Sequence, residues 1–314
     1  MIKTLLACCL LASNALASEK ISDQYPNSML YSKPVEFIPG VFSAIGATAP
    51  SSYDNAGHNN NLSFIVTGDG VVVINSGGSY LLAKALHDEI KLVTDQPVRV
   101  VLNENGQGHA MLGNSYWTDQ GVKTVAHVDA ADVFEESGAQ SLRGAQSRLL
   151  ERADGSRAVL PDETFDEVYH IEFGNFKIEA LHLGPSHSPG DIVVWMPEQS
   201  LVIAGDIAFH ERLLPIFEDT ITADWLETWE TKFEPLEATY VIPGHGHPTN
   251  MAQVRRYTHD YLVYLRAQIG AHLENDGDLA EAYYVDQSPF AHLDTFNELA
   301  TRNAGRMFEQ MEFE

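Results

Sequence analysis

The chain has 314 residues, 44% of them apolar, and carries 44 Asp and Glu against 19 Lys and Arg for a formal net charge of −25. This length suits one large α/β domain or two ordinary ones. So large an acidic excess argues against a duplex-binding surface, which needs clustered Lys and Arg, and implies a soluble, self-repelling protein.

The first residues read as an export leader. Lys3 supplies a positive start, Leu5 to Leu16 is largely apolar, and Ala15-Leu16-Ala17 offers a cleavage site. The apolar run is too short to span a bilayer. Both cysteines, Cys8 and Cys9, fall inside residues 1–17. A lipoprotein reading at Cys8 is weaker, because the apolar run continues past it. Cleavage after Ala17 leaves no thiol, so any metal must be held by His, carboxylates or amides. The expected destination is the periplasm or the exterior.

Residues 18–34, with Pro26 and Pro34, form a lead-in. Strands are predicted at Val41 to Ile45, Leu62 to Thr67 and Val71 to Ile74, the last two joined by the Gly68-Asp69-Gly70 turn. Leu82, Leu86, Ile90 and Val93 predict an amphipathic helix over 79–93. Val98 to Leu102 is a buried-strand pattern, and Thr124 to Ala126 a shorter one. A helix over 128–153 is expected to break at Gly138 or Gly144. Val168 to Phe173 and Phe176 to Leu183 predict a hairpin, followed by strands at Ile192 to Met196 and Leu201 to Ala204. Thr222 is expected to cap a helix reaching Phe233. Tyr240 to Ile242 is the last strand. Residues 251–314 read as a C-terminal extension of two or three helices packed on a domain of residues 35–250. Its aromatic residues (Tyr257, Tyr261, Tyr264, Tyr283, Tyr284, Phe290, Phe296) suit core or homodimer packing. Hairpins mixed with crossover helices, twice over, predict two sheets faced by helices.

Four strand-end segments rich in Gly or Pro carry the candidate chemistry. They hold His109, His187 in Gly184-Pro185-Ser186-His187-Ser188-Pro189-Gly190-Asp191, Asp206 in Ala204-Gly205-Asp206, and His245 in Pro243-Gly244-His245-Gly246-His247. Rigid strand ends can project such ligands into one cavity. In order and spacing the last three resemble motifs three to five of the metallo-β-lactamase superfamily. Asn75 sits where that family often ends an early strand with an acid. The resemblance covers roughly residues 36 to 250.

That family's first motif, His-x-His-x-Asp-His, is rewritten here as Asn105-Gly106-Gln107-Gly108-His109-Ala110. Aligned without gaps, Asn105 and Gln107 replace the two His of the first metal site, and His109 and Ala110 replace the Asp and His of the second. A one-residue shift puts His109 on the final His instead. Either register keeps His109 as a ligand candidate.

The resemblance implies a four-layer αββα sandwich. It also implies metal ligation by His109, His187, Asp206 and His245, with His58, Glu104, His210 and His247 as further candidates. Neutral amide oxygens are poor zinc ligands beside imidazole and carboxylate, so one zinc ion is expected rather than two, with iron as the other metal. The expected reaction is attack by metal-bound water on a small ester, lactone, thioester or amide, with Asn105 or Gln107 as oxyanion or substrate contacts. Asp191 reads as a supporting or cap-like residue. The alternatives are a binding module with a decayed centre, and a mononuclear iron oxidoreductase on His109, His245 and Asp206. β-Lactam hydrolysis ranks lower, because the rewritten motif matches none of the family's two-zinc patterns. The partner is a small molecule, with neither nucleic acid nor a membrane span.

Overall fold

The computed structural model describes residues 28–314. The leader-like segment with Cys8 and Cys9, and the first part of the lead-in, lie outside the described residues.

The first half builds a seven-stranded sheet from β1 (Val35–Ile38), β2 (Val41–Ala44), β3 (Leu62–Val66), β4 (Val71–Ile74), β5 (Val98–Leu102), β6 (Lys123–His127) and β7 (Glu163–Phe165), in that spatial order. The β3–β4 pair is the Asp-Gly hairpin, with Gly68 and Gly70 at positive φ. From β4 onward the strands are parallel, so helices must carry the chain back. The first crossover is α1 (Tyr80–Val93), capped by the Ser79 hydroxyl on the Leu82 N–H, with Leu82, Leu86 and Ile90 buried. Short α2 (Gly108–Met111) and α3 (Asn114–Asp119) follow β5, and α4 (Val128–Leu149) follows β6.

The second half builds a five-stranded sheet from β8 (Val168–Ile171), β9 (Ile178–Leu181), β10 (Val193–Met196), β11 (Leu201–Phe209) and β12 (Tyr240–His245), in reverse spatial order. Helix α5 (Thr222–Thr228) crosses between the last two strands, which are parallel. Four helices close the chain: α6 (Met251–Tyr257), α7 (His259–Glu274), α8 (Leu279–Ala282) and α9 (Phe296–Met311).

The layers follow from where the apolar side chains go. Val72, Ile74, Val100 and Leu102 of the first sheet pack against Ile178, Val194, Ile203 and Ile242 of the second. The outer face of the first sheet buries Phe64, Val73 and Val101 under Leu82, Leu86 and Trp117. That of the second buries Val193, Val202 and Val241 under Trp229, Phe233 and Val254. The result is the αββα sandwich. The C-terminal helices form a further core with Phe209, Leu213 and Leu214, which includes Tyr261, Phe290 and Phe296. No helix among the described residues is long and apolar enough to cross a membrane.

Several local expectations are corrected. Helix α4 is unbroken through both glycines. A glycine costs a helix about 1 kcal/mol relative to alanine, and burial of Ala130, Phe134, Ala145 and Leu149 offsets it. Thr222 does not cap α5; its hydroxyl bonds Gln310 of α9 at 2.8 Å, and Ile221 holds the cap position without a side-chain bond. Strand β11 runs five residues past Ala204, because its pairing with β12, irregular around the Gly-Asp motif, resumes at Phe209 opposite His245. Strands β1 and β7 have no counterpart in the sequence reading, being short and half exposed.

Candidate metal centre

The rewritten loop sits between the sheets and is tied to both. Asn75, at φ +68° after β4, accepts the Glu104 N–H on Oδ1 at 3.1 Å. The Glu104 carbonyl accepts the Ile192 N–H beside β10 at 2.8 Å. Asn103 closes the loop by donating to the Ala110 carbonyl at 2.7 Å and to Asn114 Oδ1 at 3.0 Å. Two glycines leave room for the carboxylates. A Cβ on Gly205 would lie 2.5 Å from Glu104 Oε2, and one on Gly244 would lie 2.5 Å from Asp206 Oδ1.

Asp206 is the centre of the cluster. His109 Nε2 lies 3.5 Å from its Oδ2 and 3.1 Å from Glu104 Oε1. His187 Nδ1 lies 3.6 Å from Oδ2, and His245 Nε2 lies 3.2 Å from Oδ1. A tetrahedral zinc ion with bonds of about 2.1 Å sets its ligand atoms about 3.4 Å apart. The donors of Glu104, His109 and Asp206 all fall within 4.8 Å of one another. The protonation pattern fits an ion as well. His245 Nδ1 stands 2.5 Å from the Asn59 carbonyl, which places the ring proton on Nδ1. Nε2 then presents a lone pair to Asp206 Oδ1, a buried oxygen with no hydrogen-bond partner. A cation between the two relieves that repulsion.

The electrostatics are those of crowded buried charge. Burial, and then the Asp206 charge, push the Glu104 carboxyl up. Burial opposes ionisation of Asp206, but positive charge on the neighbouring histidines, which His109 can carry, outweighs it and holds that carboxyl well below the usual range. His109 is disfavoured as a cation by burial, yet the Asp206 and Glu104 carboxylates raise it above its ordinary value. Burial pushes His187 down to about 4. Its ring is boxed by Phe209, Phe217 and Trp225, with centroids 5.1–5.7 Å away.

The two amides of the rewritten motif face histidine and carboxylate. Asn105 Nδ2 donates to Asp206 Oδ2 at 3.2 Å, and its Oδ1 accepts the Gln107 N–H at 3.0 Å. Gln107 Nε2 lies 3.1 Å from His187 Nδ1, the ring atom that faces Asp206. Asp191 holds the His187 loop by accepting the Ser188 N–H and hydroxyl at 2.6 and 2.8 Å.

Three sequence candidates are not brought to the cluster. His58 is fully buried elsewhere, its Nδ1 accepting the Tyr31 N–H at 2.8 Å. His210 Nδ1 donates to the His247 carbonyl at 2.8 Å and packs edge-on against Tyr257. His247 pairs with Glu211 at 2.7 Å. Glu104, by contrast, is at the heart of the site.

Two supporting residues escaped the sequence reading. Asn61 Nδ2 donates to the carbonyls of Pro243 and Gly246 at 2.8 and 2.7 Å, clamping both sides of His245. The signal was the Asn59-Asn60-Asn61 run before β3. Arg212 reaches His245 Nδ1 at 3.3 Å from a buried position. Its signal was a single cation in the apolar stretch after Asp206.

A cavity of about 230 Å3 opens beside the cluster, lined by His109, Gln107, Asn59, Leu112, Arg148 and Leu149 among others. It lies below the roughly 300–1,000 Å3 of drug-sized ligand pockets, so it suits a small substrate.

Comparison with known proteins agrees with the geometry. The sequence profile of the metallo-β-lactamase superfamily matches residues 109–245. A type 2 metallo-β-lactamase of Bacteroides fragilis is 23% identical over 193 residues, covering 58% of this chain and 70% of that one. A linear primary-alkylsulfatase of a Pseudomonas species is 24% identical over 130 residues, covering 38% of this chain but 24% of its own length. Among solved structures, a metallo-β-lactamase from Pontibacter korlensis superposes with a TM-score of 0.58 at 19% identity, covering 70% of this chain and 94% of that one. With the two sheets, their helical faces and the strand-end cluster, these matches make the chain similar in fold and in motif order to the metallo-β-lactamase superfamily.

Proposed function

We propose that this chain is an exported hydrolase of small esters, lactones, thioesters or amides that works with one bound divalent ion. The observation that carries the reading is the convergence of Glu104, His109 and Asp206 donors within 4.8 Å, beside a small cavity that His109 itself lines. These three residues hold the ion, with His245 Nε2 beside the second Asp206 oxygen. His187 stays outside the ligand set, because Gln107 occupies its cluster-facing nitrogen.

A bound ion of this kind supplies Lewis acidity and an activated water at neutral pH. The protein's own groups do the rest. In the ion-free protein the His109 Nε2 proton is held between Glu104 and Asp206, so ion binding must release it. Asn105 fixes the Asp206 carboxylate by N–H donation. Gln107 lines the cavity, where its amide can turn from His187 to a developing oxyanion.

Elemental analysis of wild type beside His109→Ala and His187→Ala tests the reading. One ion in wild type and His187→Ala, and none in His109→Ala, is the expected result. An ion-free wild type from metal-replete medium, or loss of the ion in both variants, refutes it. The same measurement separates zinc from iron, which a donor set of this kind also accommodates. Panels of esters, thioesters, lactones and β-lactams then rank substrates. Export is supported by the pattern of residues 1–17 and predicts a mature N-terminus at Ser18, read by mass spectrometry of protein secreted from its host.

A further inference from the structure

Arg212 is only 6% exposed. Among the described residues its guanidinium has no carboxylate within ion-pairing distance, and its Nε has no hydrogen-bond partner at all. Its Nη1 points at His245 Nδ1, but that nitrogen already gives its proton to Asn59. The side chain is therefore a buried cation with no carboxylate partner, set beside Nδ1 of a ring whose other nitrogen, Nε2, meets Asp206. Burial pushes it down to about 10, so it remains charged at neutral pH.

The backbone holds this cation in place. Glu211 lies at φ +65°, and the segment is stapled to the C-terminal extension by Leu213 N–H to Asp294 O at 2.8 Å and Asp294 N–H to Glu211 O at 3.1 Å. A buried unpaired charge is costly. The field of the cluster offsets that cost: Glu104 and Asp206 are two carboxylates, and Asp206 is the strongest charge acting on Arg212, ahead of Asp294 and Glu298.

We infer that Arg212 is the resident second cation of this centre, balancing one carboxylate from behind His245 so that a single divalent ion balances the rest. The inference rests on the one-ion reading above. It explains how a centre stripped of two imidazoles keeps two buried carboxylates without a second metal. It also predicts a sign: the guanidinium must weaken binding of the one ion while stabilising the ion-free protein.

The test is zinc alone, titrated against a competing chelator into metal-stripped full-length protein. Removing the charge in Arg212→Met should tighten zinc by about tenfold or more, and should widen the gap in Tm between zinc-loaded and stripped protein. Arg212→Lys, which keeps the charge, should stay within a few-fold of wild type. A merely structural arginine gives the opposite result, with zinc bound equally or more weakly by folded Arg212→Met. That outcome overturns the inference. Should the Met variant not fold, Arg212→Gln carries the same expectation, and equal affinities in the Gln and Lys variants overturn it. Zinc binding by wild type that His109→Ala abolishes but Arg212→Met leaves unchanged sinks this inference alone. No zinc binding by wild type sinks the one-ion reading with it.

Discussion

The two sheets contribute to the centre in different ways. The second sheet delivers Asp206 and His245 from paired parallel strands, where Gly205 pairs with Pro243 just before Asp206 and Phe209 pairs with His245. The first sheet delivers Glu104, Asn105, Gln107 and His109 from a loop and a single helical turn, held by side-chain amides. Strand-borne residues are placed by the fold itself. The loop therefore carries the freedom to exchange ligands for hydrogen-bond donors. Asn105 and Gln107 show what that exchange produces: amide contacts to Asp206 and His187 rather than strong zinc ligands.

Each prediction strains one side of this contrast. The largest effect belongs to the strand side. Asp206→Asn should weaken zinc beyond the ~100-fold typical of outer-sphere changes and abolish turnover, while far-ultraviolet circular dichroism stays native. Retained stoichiometric zinc would show that the loop, not the strand, anchors the ion.

The next effect is on stability, through the buried His58 that ties the Tyr31 backbone to the segment preceding β3. Burial pushes it from an ordinary 6.5 down to about 4. Between those two values the unfolded chain binds a proton that the folded chain refuses, so stability must fall as pH falls. The loss reaches about 3 kcal/mol by pH 4 and levels off just below it. Urea unfolding at several pH values should show this slope in wild type and its absence in His58→Asn.

On the loop side, Glu104→Gln should weaken zinc by about tenfold, less than the strand substitution. An unchanged dissociation constant would remove Glu104 from the ligand set and leave the loop with His109 alone. A comparable effect is expected for the clamp across the two sides. Asn61→Ala leaves the Pro243 and Gly246 carbonyls without their side-chain donor and should cost about 1–3 kcal/mol of stability, read by thermal melting. A loss well above that range would mean that the His245 turn depends on the first sheet for its shape.

The sequence by itself determined the sandwich and most of its strands, because period-two and buried apolar runs report directly on which faces are covered. It determined that His109, Asp206 and His245 lie at neighbouring strand ends, because Gly and Pro mark those ends. Tertiary structure decided the rest. Glu104 had the same standing in the sequence as His58, His210 and His247, and only packing put it against His109 and a side-chain-free Gly205 while turning the three histidines toward backbone or Glu211. Arg212 and Asn61 lie far in sequence from the partners they reach, His245 and the Pro243–Gly246 turn. Local pattern encodes which face of an element is buried. It does not encode which distant polar atom meets which across that face, and in this protein those meetings define the chemistry of the centre.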